Sequence, residues 1–255
     1  MATAACEGMV FAAGLGTRLA PLTDRLPKAL VEVGGRTLLE IVARRLVAAG
    51  AGRLVVNTCA HAQRVEDWLA AHPLGVPVHV SREEGAPLET GGGLYAARAL
   101  FSGTRPLLVH NVDVLSDVPL GSLLAAHGES GALVTLAVMQ RPSRRRLLFD
   151  CRGLLGRVDD AKGLDLRVRP AEGEVEQLAF AGIHVASPAL LGRITERGRF
   201  SVLDTWLRLA GEGERLLPWR MDAWRWIDVG RPADLERARA LAGPGAAPGA
   251  EGGVA

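Results

Sequence analysis

Phe11-Ala12-Ala13-Gly14-Leu15-Gly16-Thr17-Arg18, followed downstream by Pro27-Lys28, decides how the rest of this chain is read. A short apolar strand over 8–12 runs into a loop whose glycines, Gly14 and Gly16, keep Cβ atoms away from an approaching anion. Backbone N–H groups around Ala12, Ala13 and Thr17 can then cradle a nucleotide phosphate. Arg18 adds a planar fork of donors suited to phosphate oxygens. Lys28 adds a compact point charge able to follow a phosphate whose geometry changes during reaction. Lys28 and Lys162 are the only lysines among 30 basic residues, so a lysine beside this loop reads as a chemical requirement rather than as ordinary surface charge.

Outward from that loop, apolar runs alternate with helical patterns, which points to an α/β fold of parallel strands joined by βαβ crossovers. Thr37-Leu38-Leu39-Glu40 has capping-box spacing and opens an amphipathic helix that stops at Gly50. Further strands are predicted at 54–57, 78–80 and 107–110, with helices over 61–71 and from within 91–93 to about 100. Because open α/β sheets bind ligands beyond the carboxyl ends of their strands, the glycine loop, the 83–93 loop and the Asn111-Val112-Asp113 turn are expected to face one cleft. Asp113 is the candidate Mg²⁺ ligand there, since Mg²⁺ takes few carboxylates and completes its octahedron with waters and substrate phosphates. In Pro87-Leu88-Glu89-Thr90-Gly91-Gly92-Gly93, three successive glycines at a helix start are costly to order. We read this segment as the approach to the nucleobase and ribose, with Glu89, Gly91 and Gly92 as nucleotide-binding candidates.

The later half is less regular. A strand is expected at 133–139, then a basic connection over 140–146 and short strands at 147–149 and 154–155 in a substrate-facing hairpin. Arg144, Arg145 and Arg146 can attract an anionic sugar, although a solvated loop accounts for at least two of them. Lys162, in a polar run over 158–174, divides evenly between site and surface. Phe180-Ala181-Gly182-Ile183-His184-Val185 reads as a buried strand with Gly182 facing the sugar and His184 in the core. Trp224-Arg225-Trp226-Ile227-Asp228-Val229-Gly230 reads as a strand that delivers Asp228, the second metal carboxylate, and Pro232 opens a helix over 233–241. Trp206, Trp219, Trp224 and Trp226 suit a core or subunit interface. The terminal 243–255 segment, small and proline-rich, is expected to be disordered.

With 255 residues, 48% apolar and 23% charged, the chain suits one catalytic domain over 1–242, with a nucleotide-binding part over about 8–140 and a sugar-binding part over about 141–230. A net charge of +2 gives no support for nucleic-acid binding. Cys6, Cys59 and Cys151 suggest neither a disulfide framework nor a zinc site, and no apolar run approaches the length of a membrane span. A cytoplasmic protein without a membrane partner is the expectation. Oligomeric state stays open, a homo-oligomer included.

From Val10 to about Leu241 these residues resemble the sugar-1-phosphate nucleotidylyltransferases. Gly14-Leu15-Gly16-Thr17-Arg18 with Pro27-Lys28, then Asp113 and Asp228, match that family's phosphate loop, catalytic lysine and two magnesium aspartates. The usual Asn-Gly-Asp turn is Asn111-Val112-Asp113 here. The resemblance implies a Rossmann-like, mixed but mainly parallel sheet flanked by helices, the GT-A-like fold of nucleotide-diphospho-sugar transferases. It implies catalytic roles for Arg18 and Lys28, Mg²⁺ on Asp113 and Asp228, and substrate contacts from Asn111 and Gly182. The partners it implies are a nucleoside triphosphate and a sugar-1-phosphate. Within the family, N-acetylmuramate-1-phosphate uridylyltransferases resemble it most, with mannose-1-phosphate guanylyltransferase-like proteins next. A dehydrogenase is disfavoured, since G-x-G-x-x-G with a following ribose acid is missing. A non-catalytic sugar-nucleotide-binding regulator would be expected to lack Lys28 or one aspartate.

Overall fold

The computed structural model describes residues 5–242; the 243–255 segment lies outside the described residues. The chain opens with β1 (Cys6–Phe11), a small ribbon of β2 (Glu32–Val33) and β3 (Arg36–Thr37), α1 (Leu38–Ala48), β4 (Ala51–Thr58), α2 (Ala62–Ala71) and β5 (Val78–Arg82). Then come α3 (Glu89–Ala97), β6 (Leu107–Asn111), β7 (Val114–Ser116), α4 (Leu120–Ser130), β8 (Val134–Met139), β9 (Arg145–Asp150), β10 (Gly153–Asp159) and β11 (Leu164–Arg167). The last third holds β12 (Glu176–Ala186), α5 (Ala189–Arg193), α6 (Val202–Gly211), β13 (Leu216–Arg220), β14 (Trp226–Asp228) and α7 (Pro232–Ala242).

One ten-stranded sheet runs through the fold in the order β11-β10-β9-β12-β6-β1-β4-β5, with β8 paired to β12 and β13. The β6-β1-β4-β5 half is parallel, whereas β12 runs antiparallel to β6, β8 and β9. Alternate residues of the parallel strands enter opposite cores. Val10, Leu54, Val56 and Leu108 pack with α1, α4 and α7 on one face. Met9, Phe11, Val55 and Val109 pack with α3, α5 and α6 on the other. Burial on both faces explains why these strands read as unbroken apolar runs. The same register aligns Phe11 with both Asn57 and Asn111, and Asn57 with Ser81. The strands therefore end in one row, from which their loops open.

Local rules account for the helix starts. The Thr37 hydroxyl accepts from the Glu40 N–H at 3.1 Å, while the Glu40 carboxylate pairs with Arg44 instead of closing the box. A full capping box stands at Ser201 and Asp204, where the sequence reading placed no helix. Likewise α4, β7, β11 and β13 were not anticipated. β11 is a mostly exposed edge strand inside the polar 158–174 run; Leu164-Asp165-Leu166-Arg167 alternates over only four residues and buries neither leucine. Within β12 the pairing to β8 shifts between Phe180 and His184, and Gly182 sits in that bulge at φ 79°. Among the described residues no helix is long and apolar enough to cross a membrane.

His110 on β6 and His184 on β12 are both buried, and neither Nε2 has a hydrogen-bond partner. Trp206 meets the His184 ring edge-on with centroids 4.9 Å apart. Burial, aided by the Arg45 charge, pushes His110 down to about 3; burial, aided by His127, does the same to His184. Between about pH 3 and the ordinary value of 6.5 the unfolded chain therefore binds protons that the folded chain refuses. Stability is complete above that window and is lost as pH falls through it. In urea unfolding from pH 7.5 to 5, His184→Leu is expected to flatten the acid limb by up to about 1.4 kcal/mol per pH unit. Identical slopes in the two proteins would contradict the burial of a neutral imidazole.

Candidate active site

The loops that follow β1, β5 and β6 close around a cleft of about 420 Å³. Ala13, Gly14, Gly16, Thr17 and Arg18 line it from the glycine loop, Glu89 and Thr90 from the start of α3, and Asn111 and Asp113 from the end of β6. Gly16 adopts φ 66°, and a Cβ there would lie 2.9 Å from Thr23 Cγ2 and 3.1 Å from Lys28 Cβ. Only glycine lets the loop turn this closely over the lysine. Thr23 Oγ1 fastens the turn by donating to the Gly16 carbonyl at 2.8 Å.

Lys28 sits in a short helical turn whose Ala29 and Leu30 are buried, so its backbone is anchored from below. Its Nζ reaches Asp113 Oδ2 at 2.6 Å, with the lysine side chain 7% exposed and the aspartate 24%. Asp228 arrives by a different route. β14 pairs antiparallel with β7, placing Asp228 opposite Val114, and the Val229 N–H donates to the Asp113 carbonyl at 2.7 Å. Asp228 Oδ1 is buried and has no hydrogen-bond partner. Burial and then the neighbouring Asp113 carboxylate raise Asp228 above its ordinary value, while Lys28 and Arg18 pull it back. Gly230 leaves the necessary space, since a Cβ there would lie 2.8 Å from both Arg18 Nη2 and Asp228 Oδ1. Two carboxylates and two cations thus converge in one place.

Three members of the anticipated site stand behind the cleft rather than in it. Ala12 uses its N–H on Asn57 Oδ1 at 2.7 Å. Gly91 and Gly92 both donate backbone N–H groups to the Phe200 carbonyl, at 3.0 and 3.2 Å. Added Cβ atoms would meet Phe200 at 2.3 Å from Gly91 and the Gly198 carbonyl at 2.4 Å from Gly92. These glycines are demanded by packing against the segment before α6. Glu89 does face the cleft, at φ 62°, paired with Arg199 at 3.1 Å. Gly182 backs Asn111, whose Nδ2 would be 2.9 Å from a Cβ at that position. In the β9 segment, Arg146 is held by Asp160 and Arg145 lies near Asp159, while Lys162 is exposed at the turn before β11.

Asn57 and Glu83 were not anticipated as site residues. Asn57 Nδ2 donates to Glu83 Oε1 at 2.7 Å, and Glu83 Oε2 accepts from the Leu88 N–H at 2.7 Å. Both side chains are buried. This network ties the glycine loop to the lead-in of α3, and it explains Gly93, whose Cβ would lie 2.7 Å from both partners. A polar residue ending an apolar strand, the feature that singled out Asp113, is also present at Asn57.

The nucleotidyl transferase family model matches residues 7–242. The chain belongs to the nucleotidyl transferase family. It is a sugar-1-phosphate nucleotidylyltransferase, transferring a nucleotidyl group to a sugar-1-phosphate to give an NDP-sugar. The N-acetylmuramate alpha-1-phosphate uridylyltransferase of Caulobacter vibrioides is 37% identical over 217 residues, covering 80% of this chain and 84% of that protein. The mannose-1-phosphate guanylyltransferase catalytic subunit beta of Danio rerio is 29% identical over 234 residues; the match covers 90% of this chain and 62% of that relative. UTP-bound UGPase from Acinetobacter baumannii superposes with a TM-score of 0.75 at 19% identity over 93% of each chain, a likeness of fold. Enzymes of this family generally use Mg²⁺. The described residues contain no cluster of three or more His, Cys, Asp or Glu suited to a metal, but Asp113 with the orphaned Asp228 oxygen fits a cation whose other ligands are phosphates and waters.

Asn57→Ala removes the partner of the Ala12 N–H and of the Glu83 carboxylate at once. It is expected to lower the unfolding free energy by about 2–4 kcal/mol. A loss below about 1 kcal/mol would show that the network does not hold these loops.

Proposed function

We propose that the enzyme transfers the uridylyl group of UTP to N-acetylmuramate-1-phosphate, releasing pyrophosphate. The observation that carries the reaction chemistry is the contact of Lys28 with Asp113 beside an unsatisfied Asp228, at the mouth of a glycine loop that ends in Arg18. The choice of substrates rests on the likeness to the Caulobacter vibrioides uridylyltransferase.

In this reading an oxygen of the sugar-1-phosphate attacks the α-phosphorus in line, and the bond to the β-phosphate oxygen breaks. Arg18 binds the β and γ phosphates that leave. Lys28 meets the charge that develops around the α-phosphate, a role for a positioned point charge that strengthens as the transition state forms. Backbone N–H groups of the glycine loop orient the triphosphate, which lowers the entropic part of the barrier. Asp113 and Asp228 would hold Mg²⁺, which supplies neutralisation of phosphate charge when bound. Asn111, backed by Gly182, would contact the sugar, with residues 8–140 serving the nucleotide and 141–230 the sugar.

Guanylyl transfer to mannose-1-phosphate is the second reading, supported by 29% identity to the Danio rerio subunit. Pyrophosphate release over a grid of triphosphates and sugar-1-phosphates separates the two. The expected result is a kcat/KM at least about tenfold higher for UTP with N-acetylmuramate-1-phosphate than for GTP with mannose-1-phosphate. The reverse preference would replace the first reading by the second. Asp228→Asn is expected to shift the half-saturating Mg²⁺ concentration upward by about an order of magnitude; superimposable magnesium titrations would remove Asp228 from the metal site.

A further inference from the structure

At the end of β8 the chain turns through Gln140 into Arg141, whose guanidinium lies 4.2 Å from the ring centroid of Trp226. The indole is itself fixed, its Nε1 donating to the Ala181 carbonyl at 2.8 Å, next to the Gly182 bulge. Trp226 and Asp228 are two residues apart on β14 and therefore share a face. Arg141 thus lies on the face of β14 that also carries Asp228, whose charge acts on it. It is not among the residues that line the phosphate cleft.

Its hydrogen bonding is incomplete. Arg141 is half-buried, its Nε is buried with no partner, and its terminal nitrogens reach only the carbonyls of Phe180 and Pro142, at 3.3 and 3.5 Å. Among the described residues no carboxylate lies within ion-pair distance of it. Three other arginines of this half have a carboxylate partner, Arg169 on Asp150, Arg146 on Asp160 and Arg208 on Glu196, whereas Arg157 shares the orphaned Nε but does not neighbour Asp228. A guanidinium withdrawn from water costs free energy unless an anion completes it. Stacking on Trp226 fixes its plane and leaves the edge, where the donors form a fork matched to a carboxylate.

We infer that Arg141 is a specificity residue that binds a carboxylate on the sugar of the sugar-1-phosphate, so that the enzyme's substrate class is an acidic sugar. The inference rests on the substrate reading above, in which the muramate differs from N-acetylglucosamine by a lactyl ether that carries a carboxylate. The reacting phosphate has Lys28 and Arg18 for its charge. Arg141 serves the other anionic group.

Steady-state kinetics with UTP and either N-acetylmuramate-1-phosphate or N-acetylglucosamine-1-phosphate, in wild type, Arg141→Gln and Arg141→Lys, tests this. Wild type is expected to favour the muramate. Arg141→Gln should reduce the ratio of the two kcat/KM values by at least about 30-fold, chiefly through the KM of the acidic sugar, and Arg141→Lys should restore part of it. A proportional loss on both sugars, with the ratio unchanged, would overturn the role of Arg141 while leaving the substrate reading intact. A wild-type preference for the uncharged sugar would overturn both.

Discussion

The ion pair between Lys28 and Asp113, 2.6 Å long and joining positions 85 residues apart, is the contact around which the rest of the site is arranged. Such a pair is a poor way to stabilise a fold, because taking two charges from water consumes most of what their attraction returns. Asp228 makes the arrangement costlier by adding a second carboxylate with a buried, unpartnered oxygen. The charges are held together by structure that has no need of them: the anchored turn under Lys28, the end of β6, and the pairing of β14 with β7. In the proposed mechanism this stored cost is relieved when phosphates and a metal ion complete the site.

That arrangement depends on register. The parallel strands end together at Phe11, Asn57 and Asn111, so three loops open from one line. Two buried side chains, Asn57 and Glu83, then tie the glycine loop after β1 to the loop after β5 that leads into α3. Small residues make the cross-links fit. Gly93 stands where a Cβ would collide with that network, Gly230 where it would collide with Arg18 and Asp228, and Gly16 where it would press on Thr23 and Lys28. In each case the glycine serves a close approach within the protein.

Much of this was legible in the sequence because the information is local. Gly14, Gly16, Arg18 and Lys28 lie within one short stretch, and Asp113 and Asp228 each follow an apolar strand, so the rule that ligands bind beyond strand ends places them in one cleft. The alternation of apolar runs and amphipathic helices was equally readable, since both faces of the central strands are buried. What stayed hidden depends on partners remote in the chain. Gly91 and Gly92 look like room for a ligand until Phe200 and Gly198 are seen against them, and the partner of Glu89 is 110 residues away. Gly182 turns toward Asn111 because of a bulge that only the pairing with β8 reveals. The exposed edge strand β11 alternates over only four residues, Leu164 to Arg167, inside a polar run that hides it.

In the proposed mechanism Lys28 acts on the reacting phosphate in the transition state rather than as a mere anchor for Asp113 or for bound triphosphate. Single-turnover nucleotidyl transfer, measured beside equilibrium binding of the magnesium triphosphate, tests it in wild type and Lys28→Ala. The expected result is a fall of about two to three orders of magnitude in the single-turnover rate with triphosphate affinity changed by less than about tenfold. A rate close to that of wild type, with the whole loss residing in affinity, would contradict it.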